Sequence, residues 1–357
     1  MNKWHIDTPA LLVDLPTMER NIAVMADFAR RHKVNLRPHV KTHKSTILAK
    51  KQLEAGASGI SCAKLGEAEV MAGAGINDIL ITNLLIGSTK IARLLALAQE
   101  ADLIVTVDDY QNATELSAAF QAAGAKLNTI VEIDLGMCRC GVEPGQAALS
   151  LAKHVDASPG LRFCGFTGYE GHIQLTVVPK DLPASVREEV APLIETADMA
   201  RAAGLRVDIV SAGGSISYRE TGKLPGITEI QPGAYIFMDS TYYPRQTELE
   251  RALTVLTTVI SRPKDNYIMV DAGSKSLSQD WGIPEVKDIP GAKIVLLSEE
   301  QMKIEFTGSL PKLSAGDKIE IFPSHVCTTV NLHDRYRAIR NDCVEAVWDV
   351  EARGKIT

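Results

Sequence analysis

The chain lacks the features that mark membrane, secreted and nucleic-acid-binding proteins. No apolar stretch reaches the length needed to span a bilayer. Residues 1–16 lack the basic segment, apolar core and cleavage site of a secretory signal. The net charge is −6, and no basic stripe interleaves with aromatic residues, as it does on many nucleic-acid-binding surfaces. We therefore expect a cytoplasmic protein that binds neither membranes nor nucleic acid.

Cysteine is scarce as well, with six residues in a chain of 357 and no Cys-x-x-Cys pair. Scattered cysteines are typical of reduced thiols in a cytosolic protein rather than of a disulfide framework. Cys138 and Cys140 are close enough in sequence to bind a metal, but we interpret them as small buried side chains. Only Cys327 has neighbours that suggest chemistry.

Up to about residue 240, the chain alternates short apolar runs with Ala/Leu/Glu-rich stretches. Strands that alternate with helices favour a parallel sheet, and eight short apolar strands predict an α/β fold of the closed (β/α)8 TIM-barrel type. An open doubly wound sheet is the competing arrangement, but it would usually carry a glycine fingerprint after its first strand, and none is present. The predicted strands are residues 35–40, 59–63, 79–83, 103–107, 129–134, 163–169, 207–211 and 229–236.

Beyond residue 248 the pattern changes to short strands separated by turn signals, with almost no helical periodicity. We therefore predict two domains, a barrel over residues 1–247 and an all-β domain over residues 248–357. One of the predicted turns covers residues 262–266. The predicted strands of the second domain are residues 255–261, 267–270, 294–297, 303–306, 318–322 and 343–347.

The run Arg37-Pro38-His39-Val40-Lys41-Thr42-His43-Lys44 crowds five nitrogen-bearing side chains just after a strand-like segment. A neighbouring positive charge favours the neutral form of an amine, and a neutral amine can attack a carbonyl. Lys41 and Lys44 are therefore candidates for a lysine that forms a Schiff base. The alternative is a solvated basic loop.

Two glycine-bearing loops follow the seventh and eighth predicted barrel strands. The C-terminal ends of barrel strands face the active site, and loops at these two places frequently bind phosphate. Glycine helps because it lets backbone N–H groups approach an anion. The alternative is a pair of tight turns that bind nothing. The loop residues are Gly213, Gly214, Ser215, Gly233, Ala234 and Tyr235.

A lysine that can form an imine, together with a phosphate-binding loop, points to pyridoxal 5'-phosphate (PLP). Arg139, after the fifth strand, could hydrogen-bond the phenolate oxygen of this cofactor, and Tyr169, after the sixth, could reach its ring nitrogen. The alternatives are an ion pair of Arg139 with Asp134 or Glu132, and a core position for Tyr169. His172 also follows the sixth strand.

Residues 323–334 contain a second candidate site. In a strand, residues i and i+2 point to the same face, so His325 and Cys327 could bind one ion. Imidazole and thiolate suit Zn²⁺, with Mn²⁺ or Mg²⁺ as alternatives, and two protein ligands leave positions open for substrate. Such a metal could act as a Lewis acid on a substrate hydroxyl. The alternative is that both side chains are simply packed.

Taken together, these motifs resemble those of the fold-type III PLP enzymes, the alanine-racemase-like barrels, and among them the D-threonine aldolase and D-serine dehydratase family. The resemblance extends over nearly the whole chain and rests on an ordered set of motifs. These are residues 7–14 (DTPALLVD), 37–44 (RPHVKTHK), 64–69 (KLGEAE), 136–141 (GMCRCG), 325–327 (HVC) and 329–331 (TVN).

The resemblance implies roles for individual residues. Lys41, and not Lys44, matches the lysine that binds the cofactor, and Arg139 matches the arginine at its phenolic oxygen. The glycine loops match the phosphate site, and His325 with Cys327 match the metal ligands. The resemblance also implies a homodimer and substrates that are β-hydroxy-D-amino acids.

The resemblance leaves the reaction open. The His-x-Cys pattern is similar to the dehydratase branch, whereas residues 330–334 (VNLHD) and 229–239 are similar to the aldolase branch. We favour a dehydratase, in which Lys41 removes the α-proton and the products are a 2-oxo acid and ammonia. The alternative is an aldolase, in which His172 takes the proton of the β-hydroxyl and the products are glycine and an aldehyde. A racemase and a non-catalytic PLP-binding protein are further alternatives.

Overall fold

The structure is a computed structural model that describes residues 1–246, 248–308 and 311–357. Within these ranges, no helix combines the length and the apolar character that crossing a membrane requires. The strands are β1 (Ala10–Asp14), β2 (Asn35–Leu36), β3 (Ile60–Cys62), β4 (Asp78–Ile81), β5 (Asp102–Val107), β6 (Leu127–Ile133), β7 (Leu161–Gly168), β8 (Ile209–Ala212), β9 (Glu229–Ile230), β10 (Leu253–Lys264), β11 (Tyr267–Val270), β12 (Glu285–Val286), β13 (Ala292–Leu297), β14 (Met302–Phe306), β15 (Lys318–Phe322), β16 (Arg335–Arg340) and β17 (Cys343–Asp349). The helices are α1 (Leu15–His32), α2 (Thr46–Glu54), α3 (Leu65–Gly73), α4 (Ser88–Leu97), α5 (Tyr110–Ala122), α6 (Gln146–Ala157), α7 (Ile173–Thr176), α8 (Leu182–Ala202), α9 (Tyr218–Thr221) and α10 (Val326–Val330).

Strands β2 to β9 form one parallel sheet of eight strands, in the order β2-β9-β8-β7-β6-β5-β4-β3. A parallel bridge between His39 and Ser61 joins the two ends of this sheet, and the N–H of Ser61 donates to the carbonyl of Pro38 at 2.9 Å. Because parallel neighbours need crossover connections, helices alternate with the strands. The predicted (β/α)8 barrel is confirmed, and each predicted strand has its counterpart.

The basic run at residues 37–44 is not a solvated loop. Arg37 forms ion pairs inside the barrel, at 2.8 Å with Glu229 and at 2.6 Å with Asp78. Such a buried cation is tolerated because the two carboxylates replace the water that it loses. The solvated alternative is therefore wrong for most of the run. Of its five nitrogen-bearing side chains, four are buried, namely Arg37, His39, His43 and Lys44.

The remaining strands form a mixed sheet of nine, with the order β13-β14-β11-β10-β1-β16-β17 and with β15 paired to β10 and β12. The predicted C-terminal region rich in strands is confirmed. The prediction missed β12 and β16, and it placed a turn at residues 262–266 where β10 continues to Lys264. Strand β16 contains three arginines, yet Tyr336 and Ala338 between them are buried. Alternating burial, and not overall composition, makes this segment a strand.

The described residues divide into two compact units. The barrel unit comprises residues 25–41, 48–233 and 355–357, and the strand-rich unit comprises residues 1–24, 42–47 and 234–354. The first 24 residues belong with the C-terminal strands because β1 pairs antiparallel with β10 and parallel with β16. The sequence-based boundary at residue 247 lies outside the described residues, and the division there stays a prediction.

Candidate active site

Three of the predicted cofactor-binding residues meet in the barrel unit. The ring of Tyr169 is flanked by two cations, with Nζ of Lys41 at 5.9 Å and Cζ of Arg139 at 5.7 Å from its centre. Lys41 follows β2, Arg139 follows β6 and Tyr169 follows β7. Parallel strands bring their C-terminal ends to one face of a barrel, so residues far apart in sequence come together there.

The two candidate lysines lie in different units. Lys44 belongs to the strand-rich unit, where its carbonyl accepts the N–H of Ala352 at 2.9 Å. Lys41 is half-buried in the barrel unit, and its backbone N–H donates to Nδ1 of His39 at 3.4 Å. The other ring nitrogen of His39 lies 3.3 Å from Oγ1 of Thr82. His39 therefore fixes the backbone that carries Lys41 beside Tyr169.

Arg139 also faces a buried acid. Its guanidinium lies 3.9 Å from a carboxylate oxygen of Glu132, the pairing that the sequence offered as an alternative role. Burial raises the pKa of Glu132 to about 7; Arg139 opposes this shift, and the nearby carboxylates of Asp108 and Asp134 add to it. Glu132 therefore changes charge near neutral pH, next to the arginine that is predicted to contact the cofactor.

The loop that carries Arg139 differs from the prediction in one respect. Cys138 and Cys140 are both exposed, so their interpretation as buried side chains is wrong. The carboxylate of Asp134 organises this loop by accepting the N–H groups of Gly136 at 3.0 Å and Cys138 at 3.1 Å. These bonds hold the loop over the end of β6, and the thiols consequently point outward.

The first glycine loop is built around a carboxylate that the sequence analysis did not single out. Glu170 is fully buried and accepts the N–H of Gly213 at 3.2 Å. It also accepts the hydroxyls of Ser217 at 2.5 Å and Thr221 at 2.8 Å. Gly213 has a φ of +87°, in the left-handed region that glycine adopts without strain.

Neighbouring side chains leave no room for a side chain at position 214. A Cβ at this position would lie 2.6 Å from Nε2 of Gln174 and 3.1 Å from the ring of Tyr169. The backbone of the loop at Gly214 therefore lies close to the ring of Tyr169, and the neighbouring Ser215 is buried. The second predicted loop is divided between the two units. Gly233 is the last residue of a segment of the barrel unit. Ala234 and Tyr235 are buried in the 3-10 turn Ala234–Ile236, which belongs to the strand-rich unit.

These groups fit PLP. A primary amine can bind its aldehyde, a guanidinium can donate to its phenolate oxygen, and a phenol can donate to its ring nitrogen. Lys41 and Arg139 bring the amine and the guanidinium to the phenol ring of Tyr169, and the backbone of Gly214 lies against the same ring.

His172 forms a pair with an acid on α8. Its Nε2 lies 3.5 Å from a carboxylate oxygen of Glu189, and its buried Nδ1 has no hydrogen-bond partner among the residues that the structure describes. Gly136 lies against both, since a Cβ there would come within 3.2 Å of His172 and of Glu189. A carboxylate that holds one ring nitrogen orients the imidazole as a base.

The strand geometry predicted for the metal ligands is wrong. His325 is extended, with a φ of −139°, but it precedes the short helix α10, and Cys327 lies in the first turn of that helix. The β-branched run Val-Cys-Thr-Thr-Val favours a strand by propensity. Packing decides otherwise, because Val326 and Val330, four residues apart on one helical face, are both fully buried.

A buried carboxylate nevertheless keeps His325 ready for a metal. Oδ2 of Asp239 lies 3.2 Å from Nδ1 of His325 and accepts the N–H of Val326 at 3.2 Å. Asp239 thus engages one ring nitrogen, and the imidazole also hydrogen-bonds Cys327, with which it could hold an ion. Oγ1 of Thr42 lies 3.2 Å from Sγ of Cys327, and the indole of Trp281 stacks on the imidazole at 4.1 Å.

The charges around His325 favour a cation. Burial by itself lowers the pKa of His325, but the negative charge of Cys327 and the hydrogen-bonded carboxylate of Asp239 raise this pKa to about 10. The same electrostatic attraction that favours a proton on the imidazole would also favour a divalent cation beside it. Across the described parts of the chain, no group of three or more His, Cys, Asp or Glu side chains could hold a metal, so His325 and Cys327 would act as two ligands of an open site.

Sequence analysis missed the residues that support these groups. Glu170 lies between Tyr169 and His172, and only these two neighbours were predicted to have a role. Asp239 is 86 residues from His325 in the sequence. No spacing rule connects a metal-binding histidine to a carboxylate that distant. The only available signal was chemical: a ligating histidine usually donates its second N–H to a carboxylate or carbonyl.

Comparison with known proteins identifies the family. Residues 13–241 match the family described as alanine racemase, N-terminal domain, and residues 252–339 match the putative serine dehydratase domain. The chain therefore belongs to the alanine-racemase-like family, with the serine dehydratase domain at its C-terminal side. PLP and metal dependence are expected for members of this family.

Similar proteins include both aldolases and dehydratases. The chain is 39% identical to a 3-hydroxy-D-aspartate aldolase of Paracoccus denitrificans (strain Pd 1222), over 99% of this chain and 94% of that protein. It is 31% identical to a D-threo-3-hydroxyaspartate dehydratase of Delftia sp. (strain HT23), over 96% and 97%. The crystal structure of a D-threonine aldolase from Filomicrobium marinum superimposes with a TM-score of 0.94 at 38% identity, over 99% and 98% of the two chains.

Proposed function

We propose that this member of the alanine-racemase-like family is a PLP- and divalent-metal-dependent lyase that cleaves β-hydroxy-D-amino acids into glycine and an aldehyde. The observation that carries the proposal is the meeting of Lys41 and Arg139 at the ring of Tyr169. The higher identity to aldolases than to the dehydratase, 39% against 31%, supports cleavage over the dehydration that the metal motif alone favoured.

The barrel unit would hold the cofactor. Lys41 would bind it through Nζ, Arg139 and Tyr169 would contact its phenolic oxygen and ring nitrogen, and the loop at Gly213, Gly214 and Ser215 would bind its phosphate. Gly233, Ala234 and Tyr235 stay the predicted second phosphate loop. When bound, PLP supplies an electron sink for the negative charge that develops on the α-carbon.

The strand-rich unit would hold the metal through His325 and Cys327, with Zn²⁺ favoured by the thiolate. When bound, the ion supplies Lewis-acid polarisation of the β-hydroxyl. Asp239 keeps the imidazole in the orientation that leaves its second nitrogen for the ion. The homodimer implied by the resemblance stays a prediction.

The side chains of this protein would move the protons. His172 would accept the proton of the β-hydroxyl, and Glu189, 3.5 Å away, would stabilise the imidazolium that results. The bond between the α- and β-carbons then breaks, the β-carbon leaves as an aldehyde, and the α-carbon takes a proton to give glycine.

Dehydration is the second candidate, and the Cys327 ligand favours it because the dehydratase branch resembles His-x-Cys. In that reaction Lys41 would remove the α-proton, the β-hydroxyl would leave, and the products would be a 2-oxo acid and ammonia. The same residues would serve both reactions.

Incubation of the loaded enzyme with D-threonine separates the candidates. We expect glycine and acetaldehyde in equal amounts, measured by chromatography and by reduction of the aldehyde, and no turnover of L-threonine. Formation of 2-oxobutanoate and ammonia would instead establish the dehydratase. Interconversion of D- and L-amino acids that survives complete chelation of the metal would establish a racemase. Binding of PLP without any turnover would indicate a non-catalytic PLP-binding protein.

A further inference from the structure

Glu170 stands out because a fully buried carboxylate is bonded to the loop that is proposed to bind phosphate. Its three described partners are the N–H of Gly213 and the hydroxyls of Ser217 and Thr221, at 3.2, 2.5 and 2.8 Å. These donors belong to one short stretch, from the end of β8 to the end of α9. A single side chain thus fixes the stretch at its start, its middle and its end.

The bonds extend further into the loop through Ser217. The N–H of Gly214 donates to Oγ of Ser217 at 3.0 Å, and the same hydroxyl donates to Glu170. Nε2 of Gln174 donates to that oxygen as well, at 3.2 Å. The N–H groups of Gly213 and Gly214 are therefore both used to hold the loop, the first by the carboxylate directly and the second through the hydroxyl of Ser217.

We infer that Glu170 is a positioning residue that holds the glycine loop in the shape that binds the phosphate of the cofactor. The inference rests on the proposed PLP site. Glu170 follows Tyr169 directly, so one dipeptide serves both the ring of the cofactor and its phosphate. A buried negative charge repels phosphate by itself, so any gain in phosphate affinity from Glu170 must come from the loop that it holds.

Binding of PLP and of pyridoxal, which lacks the phosphate, to the apoprotein tests this role. Both ligands carry the aldehyde that Lys41 would bind, and both give an absorbance band on binding. In Glu170→Ala we expect the dissociation constant for PLP to rise about tenfold or more, because buried donors lose their acceptor. The constant for pyridoxal should stay within about twofold. Glu170→Gln retains one acceptor oxygen and should lose less affinity.

The control is Glu188→Ala, which removes an exposed carboxylate of α8 and should leave both constants unchanged. Unchanged or tighter PLP binding in Glu170→Ala would overturn the inference, as would an equal loss for both ligands. If Glu170→Ala does not fold, Thr221→Val, which removes one donor, should show the same selective loss to a smaller degree, and equal losses there would again overturn it. Failure of the wild type to bind either ligand would overturn the proposed cofactor site instead.

Discussion

The two candidate sites are organised by different forces. In the barrel unit, the residues follow three strands of one parallel sheet, β2, β6 and β7. The nearby glycine loop is held by an N–H group and two hydroxyls that donate to Glu170. In the strand-rich unit, His325 sits at the start of a short helix and is held by the charges of Asp239 and Cys327. Topology positions the first site, and local charge positions the second. The two should therefore respond differently to substitution.

The largest effect is expected for Lys41→Ala, which removes the amine and should affect the cofactor alone. We expect loss of the visible cofactor band and a fall in turnover of about 100- to 10,000-fold, because the covalent anchor of the cofactor disappears. Bound metal, measured by atomic emission, should be unchanged. Borohydride trapping followed by peptide mapping checks the assignment, with Lys44→Ala as the control that keeps the label. A label on Lys44, or on no lysine, would refute it.

His172→Ala tests whether the barrel unit supplies the base. Turnover of D-threonine should fall about 100-fold or more, because nothing takes the hydroxyl proton, while the cofactor band persists. Glu189→Gln should have a smaller effect, since an amide still orients the ring but stabilises its cation less. The measurement is the rate of aldehyde release against pH. An unchanged rate in His172→Ala would remove this residue from the mechanism.

Asp239→Asn tests the charge-based site. Loss of the carboxylate should weaken metal binding about 10- to 100-fold, the usual consequence of altering a group that orients a histidine ligand. Cys327→Ala, which removes a ligand outright, should weaken it further. Titration with a competing chelator measures both, and the PLP band should be unaffected in either variant. Equal metal affinity in all three proteins would contradict the ligand assignment.

The smallest effect on activity should appear at Glu132, a further buried ionisable group of the barrel unit. Its pKa is raised by burial to about 7 from an ordinary value of 4.5. The folded protein therefore binds more protons than the unfolded chain between these values, and stability falls as pH rises through this window.

Glu132→Gln removes this penalty. We expect the free energy of unfolding of the apoprotein to rise by about 3 kcal/mol at pH 8 and by less than about 1 kcal/mol at pH 5. Urea denaturation at pH 5 and pH 8 measures the difference. The exposed Glu143→Gln is the matched control and should be neutral at both. A penalty that does not depend on pH would rule out the titration of Glu132 as its cause.

The same contrast explains what the sequence could reveal. Lys41, Arg139 and Tyr169 were predictable because alternating strands and helices order the strand ends around a barrel. Strand β1 directly precedes α1, and nothing local in the sequence shows that its partners are β10 and β16, more than 200 residues away. Likewise, helix α10 forms against the propensity of its residues, because burial of Val326 and Val330 outweighs it.

The stacking of Trp281 on His325 has a practical consequence. The indole lies 4.1 Å from the imidazole and is tilted by only 15°, so a cation bound to that imidazole would change the electric field at the indole. Of the three tryptophans in the chain, the other two are Trp4 and Trp348. Binding and release of a cation at His325 should therefore change the fluorescence of Trp281. This intrinsic signal would report occupancy of the cation site without substrate and without turnover.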